Sequence, residues 1–429
     1  MRNPQHWRRA AAGIWIRYFD HAGSRRKNCS LFHFGMAKKH GCFWYISRIP
    51  LYKNKKICYN DTKVRQFYPD AEPMLYPYRN EVFMMTEQEL TKLEQLYSGC
   101  RAYHGELHDH SASGGTSDGS CPLDVWVREM AELHMDFAAI LDHRQVRHMY
   151  LPEWKDGLFL GGSEPGTKID DNPAENKYLH YNMLFTGPEP LESLLAEFPE
   201  YQFTGGPEGH FSYPSFTTER FCQLIDAVKA RGGFFVHPHP KQVMVSDNPL
   251  DYWFRDETGI EVFYNAMDSE HTARNYVLWT DLLAAGKRVW ACAGGDKHGH
   301  PDDKALTTIY AEEKSNASYL AHLRKGDFTC GSVGIRMGIG NTVTGGKCIF
   351  GGQKLIAAAG DFHCSVQHPD HTYRMDILNE NGIVLSREIP CDSTSCLSLD
   401  TDDCRFYRAE VWDTTLQLRI AIGNPIWNG

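Results

Sequence analysis

Residues 136–143 read Asp-Phe-Ala-Ala-Ile-Leu-Asp-His (DFAAILDH), an unbroken apolar run that ends in two polar residues. A run of that length and composition suits a parallel strand buried on both faces. The pattern recurs downstream at 157–164 (GLFLGGSE), 233–239 (GFFVHPH), 259–265 (GIEVFYN) and 289–298 (VWACAGGDKH). Helix signals fall between these runs. Pro122–Met135 opens with proline at a candidate first helical position. Thr218–Arg231 places Phe221, Leu224, Ile225 and Val228 at helical spacing and stops at Gly232, and Ala273–Ala285 stops in the same way at Gly286. The alternation predicts an α/β architecture over 99–325, either a β/α barrel or a doubly wound sheet.

The flanking segments differ in character. Residues 1–98 are irregular, and 1–70 hold fifteen Lys/Arg against three acids in a chain of formal charge −9. A basic arm could touch nucleic acid, but the acidic body would repel it, so a solvated leader is expected and nucleic acid is disfavoured as a partner. Thr86–Tyr97 (TEQELTKLEQLY) predicts a short amphipathic helix, and Met84 and Met85 before it suggest a true start within the chain. Residues 326–429 are rich in glycine and short alternating runs. Tyr373–Leu378 and Ile383–Ile389 flank Asn379-Glu-Asn-Gly382, a hairpin signature, and Phe406–Trp412 and Leu416–Ile422 alternate. A small antiparallel β domain is predicted there.

Hydrophobic residues make up 42% of the 429, enough for a sizeable core. No apolar run reaches membrane-spanning length and no secretory signal is legible. Thirteen cysteines without a Cys-x-x-Cys pair point to reduced thiols and a cytoplasmic protein.

The chemistry is positional. In a parallel α/β barrel, functional groups gather where the strands end. Here the apolar runs end in His143, Glu164, His239, and Asp296 with His298, all residue types that bind divalent metals. His108-Asp109-His110 adds a His-x-His whose alternate side chains share one face of a strand, followed by Asp118 in a turn-like Thr-Ser-Asp-Gly. Gly161 and Gly162 would allow close backbone approach to a site. Thirteen of the 21 histidines lie between His104 and His300. Repeated placement at strand ends argues for a metal cluster rather than scattered surface histidines.

The series Leu107-His-Asp-His-Ser111, Ser117-Asp-Gly119, Leu141-Asp-His143, Gly162-Ser-Glu164, His180, His239-Pro240 and Gly295-Asp-Lys-His298 resembles the PHP (polymerase and histidinol phosphatase) superfamily. Gly326 to Gly331, Phe406-Tyr-Arg408 and Asn424-Pro-Ile-Trp427 resemble the β domain that follows the barrel in its CehA/McbA-like branch. The resemblance spans roughly 100–429. It implies a distorted (β/α)7 TIM-like barrel over 99–325, then a small antiparallel β-sandwich-like domain over 326–429, with 1–98 as an extension. It also implies two or three divalent ions, zinc, manganese or iron. His108, His110 and Asp296 would hold one, and Glu164 would bridge it to a second on His180 and His239. Asp118, His143 and His298 would hold the third. His237 competes with His239 for its slot. Ser113-Gly-Gly-Thr116 looks like an insert before Asp118. His104 and His300 stand between an ancillary role and plain packing; His134, His210, His271, His363, His368 and His371 read as packing or surface residues.

The expected activity is hydrolysis by a metal-activated hydroxide with Glu164 at its centre, on a small anionic substrate, first of all a phosphoester. Arg144, Lys241 and Lys297, each beside an expected ligand, are candidates to grip the anion. Carbamate, ester or amide hydrolysis on the same site is the alternative, and a non-catalytic metal-stabilised interaction module the third reading.

Overall fold

The computed structural model describes residues 7–9, 15–17, 87–171, 178–201, 214–240 and 254–429. Lys241, His210, Met84, Met85 and most of the basic leader lie outside the described residues. Met1–Glu72 and Pro73–Gly429 are separate units. The described part of the first is an antiparallel pair, β1 (Trp7–Arg9) with β2 (Trp15–Arg17).

In the second unit, helix α1 (Glu87–Leu96) forms where the amphipathic pattern placed it, and Leu93 and Tyr97 pack on Tyr310, Ile356 and Ala358. All five apolar runs are strands. They become β4 (Phe137–Ile140), β5 (Phe159–Ser163), β10 (Phe234–His237), β11 (Gly259–Tyr264) and β12 (Trp290–Gly294). The His-x-His lies at the end of β3 (Arg101–Asp109). Strands β3, β4 and β5 are mutually parallel, as are β10, β11 and β12.

The strand β8 (Asn182–Phe185) joins the two triplets and runs antiparallel to both β5 and β10. At the far side, Asp296 N donates to His108 O (2.6 Å) and His110 N to Lys297 O (2.9 Å), so the chain leaving β12 meets the end of β3. The sheet therefore curls until its two triplets meet, but its strands are of mixed direction. A three-stranded sheet of β6 (Gly166–Ile169), β7 (Tyr178–His180) and β9 (Ser215–Phe216) lies between β5 and β10 in sequence.

Helices α2 (Leu123–Glu132), α3 (Pro188–Glu197), α4 (Thr218–Ala230), α5 (Glu270–Ala284) and α6 (Asn316–Lys325) occupy the connections. Pro122 caps α2 instead of forming its first turn. Thr217 and Ser269 cap α4 and α5 through their hydroxyls, and α5 starts three residues earlier than its apolar pattern suggests. Gly232 and Gly286 follow the ends of α4 and α5 at φ 75° and 85°, the left-handed conformation that glycine adopts freely.

The sheet does not stop at residue 326. Strand β13 (Thr307–Ala311) pairs with β3, then with β14 (Phe328–Gly331), which pairs with β23 (Leu418–Gly423). Strands β22 (Phe406–Asp413), β19 (Tyr373–Asn379) and β20 (Gly382–Ile389) follow, the last two closing the expected hairpin at Asn379 and Gly382. A second sheet of β15 (Val333–Ile339), β16 (Thr342–Val343), β18 (Lys354–Phe362) and β21 (Ser395–Asp400) faces this part. Alternate residues of the two sheets, among them Ile335, Met337, Ala357, Met375, Tyr407 and Val411, form a shared core. Asn424, from the Asn-Pro-Ile-Trp motif, accepts from Ala291 N (2.7 Å) and donates to Phe328 O (3.3 Å), tying β12 to β14. No helix among the described residues is long and apolar enough to cross a membrane.

Candidate metal centre

The parallel strands point their C-terminal ends one way, so residues just beyond them converge. His108 and His110 leave β3, His143 follows β4, Glu164 follows β5, His239 follows β10, and Asp296 and His298 follow β12. His180 reaches the same place from the other direction: β8 is antiparallel, so the residue on this side is the one just before the strand begins. Three overlapping groups result, and within each every ligand atom lies within 4.8 Å of the others. They are His110, Asp118, His143 and His298; His108, His110, Glu164 and Asp296; and Glu164, His180 and His239.

Glu164 sits between two histidine pairs. Its Oε2 is 3.2 Å from Nε2 of both His108 and His110, and its Oε1 is 3.0 Å from His180 Nδ1 and 3.0 Å from His239 Nε2. Asp296 Oδ1 lies 3.1 Å from His110 Nε2 and 3.5 Å from His108 Nε2. Its Oδ2 accepts the Tyr264 hydroxyl at 2.9 Å. Asp118 Oδ1 is 3.2 Å from His298 Nε2, 3.5 Å from His143 Nε2 and 3.9 Å from His110 Nδ1. The loop that presents Asp118 is held by Asp142, which accepts from Ser111 N (2.7 Å), Ser111 Oγ (2.8 Å), Ser117 Oγ (3.0 Å) and Ser113 Oγ. The Ser-Gly-Gly-Thr insert is thus folded back rather than splayed, with Gly114 and Gly115 at φ 74° and 68°.

The donors suit divalent cations. All are imidazole nitrogens or carboxylate oxygens. Buried His108 Nε2 and His110 Nδ1 face the carboxylates of Glu164 and Asp118 without a well-formed hydrogen bond, a costly condition for a buried polar atom unless a cation engages it. Three of the rings are also oriented alike. His108 Nδ1 meets Glu261 Oε1 (3.0 Å), His143 Nδ1 meets Glu164 O (2.7 Å), and His298 Nδ1 meets Asp296 O (3.0 Å). Each ring is thereby steered to carry its proton on Nδ1 and to offer Nε2, the arrangement of a histidine backed for metal binding.

Electrostatics agree. Burial opposes protonation of His108 and His110, but the carboxylates outweigh it: Glu164, Asp296 and Glu261 hold His108 well above the usual imidazole range, and Asp296 and Glu164 raise His110 to about 9. Burial favours the acid form of Glu164, yet the His108 charge and the imidazole hydrogen bonds pull it well below the usual range. The protons that charge these rings stand where cations would sit. Exposure is graded: Glu164 is 1% exposed and His143 20%, while His298 and Asp118 reach 41% and 56%, so the Asp118 side is the mouth.

All nine residues expected as ligands lie in these three groups, which include His239 and not His237. His237 packs between Phe235 and Phe254, its pKa pushed down by burial to about 3. Lys297 does not point a spare charge at the centre: its ammonium is held by Asp302 (2.9 Å), Asn265 Oδ1 (2.9 Å) and Asn265 O (3.1 Å). Arg144 follows His143 at φ 52° and is close enough to act on the Tyr181 phenol. His104 bonds Thr308 (2.9 Å) and His300 pairs with Glu129 (2.8 Å), both outside the three groups.

Gly161 and Gly162 serve strand packing, not approach to the site: a Cβ would lie 2.2 Å from Met149 Cε at Gly161 and 2.3 Å from Met183 O at Gly162. Sequence reading missed Glu261 and Tyr264. Both lie in GIEVFYN, where a glutamate inside an otherwise apolar run was the available signal.

No family model and no curated protein matches the sequence. Solved structures with a similar course of the chain include a two-domain protein from Bacteroides vulgatus, described as containing a PHP-like metal-dependent phosphoesterase. It is 12% identical, over 77% of this chain and 96% of that one, with a TM-score of 0.37. Another, from Bifidobacterium adolescentis and described as a metal-dependent phosphoesterase, is 18% identical over 47% and 90% of the two chains, with a TM-score of 0.31. The lesion-specific endonuclease Q of Pyrococcus furiosus is 12% identical over 52% and 56%, with a TM-score of 0.36. At these levels the likeness is one of general chain course, and the site assignments rest on side-chain distances.

Proposed function

We propose that this chain is a metal-dependent hydrolase of the PHP type, acting on small anionic phosphoesters. The observation that supports it most is Glu164, a buried carboxylate with one oxygen toward His108 and His110 and the other toward His180 and His239. A carboxylate so placed suits a bridge between two cations. His108, His110, Glu164 and Asp296 would hold one ion, Glu164, His180 and His239 a second, and Asp118, His143 and His298 a third. Divalent ions there (zinc, manganese or iron) would supply Lewis acidity and an acidified water near neutral pH.

The chain's own groups do the rest. Tyr264 O–H holds Asp296 Oδ2 and turns Oδ1 toward His108 and His110. Substrate enters on the exposed Asp118–His298 side. Arg144, beside His143, and Lys241, which follows His239-Pro240, are the cations proposed to grip it; Lys297 is held by Asp302 and Asn265.

On this reading the seven strands β3, β4, β5, β8, β10, β11 and β12 are a distorted (β/α)7 barrel over 99–325. Residues 326–429 are the β domain of the CehA/McbA-like branch, and 1–98 an extension. The ten described cysteines are unpaired, which supports a reducing, cytoplasmic setting.

The test is turnover by zinc- or manganese-loaded protein of p-nitrophenyl phosphate, against p-nitrophenyl acetate and 1-naphthyl methylcarbamate. Preference for the phosphate is expected. Preference for the acetate or carbamate would replace the substrate class, and bound metal without turnover of any of the three would leave a metal-stabilised module.

A further inference from the structure

We propose that Glu261 is a positioning residue that sets two ligands of the centre at once, His108 through its ring and His239 through its backbone. The inference rests on the metal reading above. Glu261 lies in β11, whose six residues are all buried, and it is itself 1% exposed. A carboxylate there is costly unless its oxygens are engaged. Oε1 is 3.0 Å from His108 Nδ1, and Oε2 accepts His239 N at 2.7 Å.

The two contacts act on different ions. His108 belongs with His110, Glu164 and Asp296, whereas His239 belongs with Glu164 and His180. The first contact keeps the His108 proton on Nδ1 and leaves Nε2 for an ion. The second secures His239 where the chain needs it most, since that residue has φ 29°, outside the regions a side-chain-bearing residue prefers. Space for the carboxylate comes from Gly294: a Cβ there would lie 2.1 Å from Glu261 Oε1 and 2.6 Å from His108 Cβ. Glutamine cannot substitute. Two N–H donors face the two oxygens; an amide can accept the His239 N–H only by turning its NH2 toward His108 Nδ1, which keeps the fold satisfied but moves the His108 proton to Nε2, the atom an ion needs.

The experiment is zinc binding by the full chain, measured by competition with a chromophoric chelator, beside thermal melts of the metal-free protein. Glu261→Gln is expected to keep the melt of the metal-free wild type and to bind zinc about 10–100-fold more weakly, the usual effect of removing a group that backs a ligand. The loss should fall on the ions at His108 and His239 and spare the one at Asp118, His143 and His298. Glu261→Asp keeps the carboxylate but is too short to hold both partners, and should weaken zinc binding likewise; it decides the matter if Glu261→Gln does not fold. Wild-type zinc affinity in either folded variant, even with a lowered melt, overturns the role of Glu261. Wild-type protein that binds no zinc overturns the metal reading itself.

Discussion

Glu164 concentrates the residue-scale chemistry, because its one carboxylate faces five imidazoles, those of His108, His110, His143, His180 and His239. Such a carboxylate tolerates burial only while positive charge surrounds it, carried by protons or by metal. His108→Ala and Asp296→Ala are therefore expected to lose bound metal and turnover while keeping the fold. Metal analysis of the purified variants checks this; near-normal metal content in either would count against the assignment. Asp142 acts one step away. It is fully buried and accepts from the 111–117 loop, and His148 and burial set against each other leave its pKa lowered to about 2. Asp142→Asn loses acceptor capacity for at least one serine. The expected result is a destabilisation of about 1–3 kcal/mol and a loosened Asp118, read as weaker binding of the last ion in a zinc titration.

At the scale of elements, strand direction decides which residue can serve. In β3, β4, β5, β10 and β12 the site residue lies at or after the C-terminal end, whereas β8 runs the other way and His180 precedes it. The β5–β8 contact is tight. Gly162→Ala would push a methyl to 2.3 Å from Met183 O and to 2.4 Å from Leu141 Cδ2. Backbone cannot yield as a flexible side chain does, so a loss of about 1–3 kcal/mol is expected, visible as a lower urea midpoint. An unchanged midpoint would mean that the strands separate freely there.

At the scale of the molecule, the site lies in a sheet that continues into the C-terminal strands, and polar groups pin the two together. Arg408 and Arg419 flank buried Glu410, while Arg408 also donates to Tyr276 of α5 (2.8 Å). His104 of β3 faces His363 at a ring distance of 5.3 Å. Burial, aided by the His363 ring and opposed by Asp136 and Asp361, lowers His104 to about 4 from 6.5. The unfolded chain then binds more protons, so this contribution is complete above pH 6.5 and is lost as pH falls toward 4. Its size is at most about 3 kcal/mol. His104→Gln should flatten the fall in urea stability between pH 7 and 5 in chelator-treated protein; an equally steep fall would exclude His104 as a source. Metal removal acts on the whole chain too. A ligand bound only by the folded state stabilises it by about 2.7 kcal/mol at 100 times its dissociation constant. Chelation should thus lower the melting temperature and zinc restore it.

Local pattern alone determined much of this protein. Short apolar runs ended by polar residues suit buried strands, their polar ends mark where a site can form, and the spacing at Phe221, Leu224, Ile225 and Val228 fixes a helix face. The His-x-His and the strand-end acids were legible for the same reason, since each is a property of consecutive residues. Three things waited for the tertiary structure. The reversal of β8 depends on pairing between distant strands, the sharing of His110 and Glu164 between groups depends on distances across the sheet, and Glu261 acquires its role from donors 153 and 22 residues away. Nothing local encodes these, because their free energy arises only when separate segments meet.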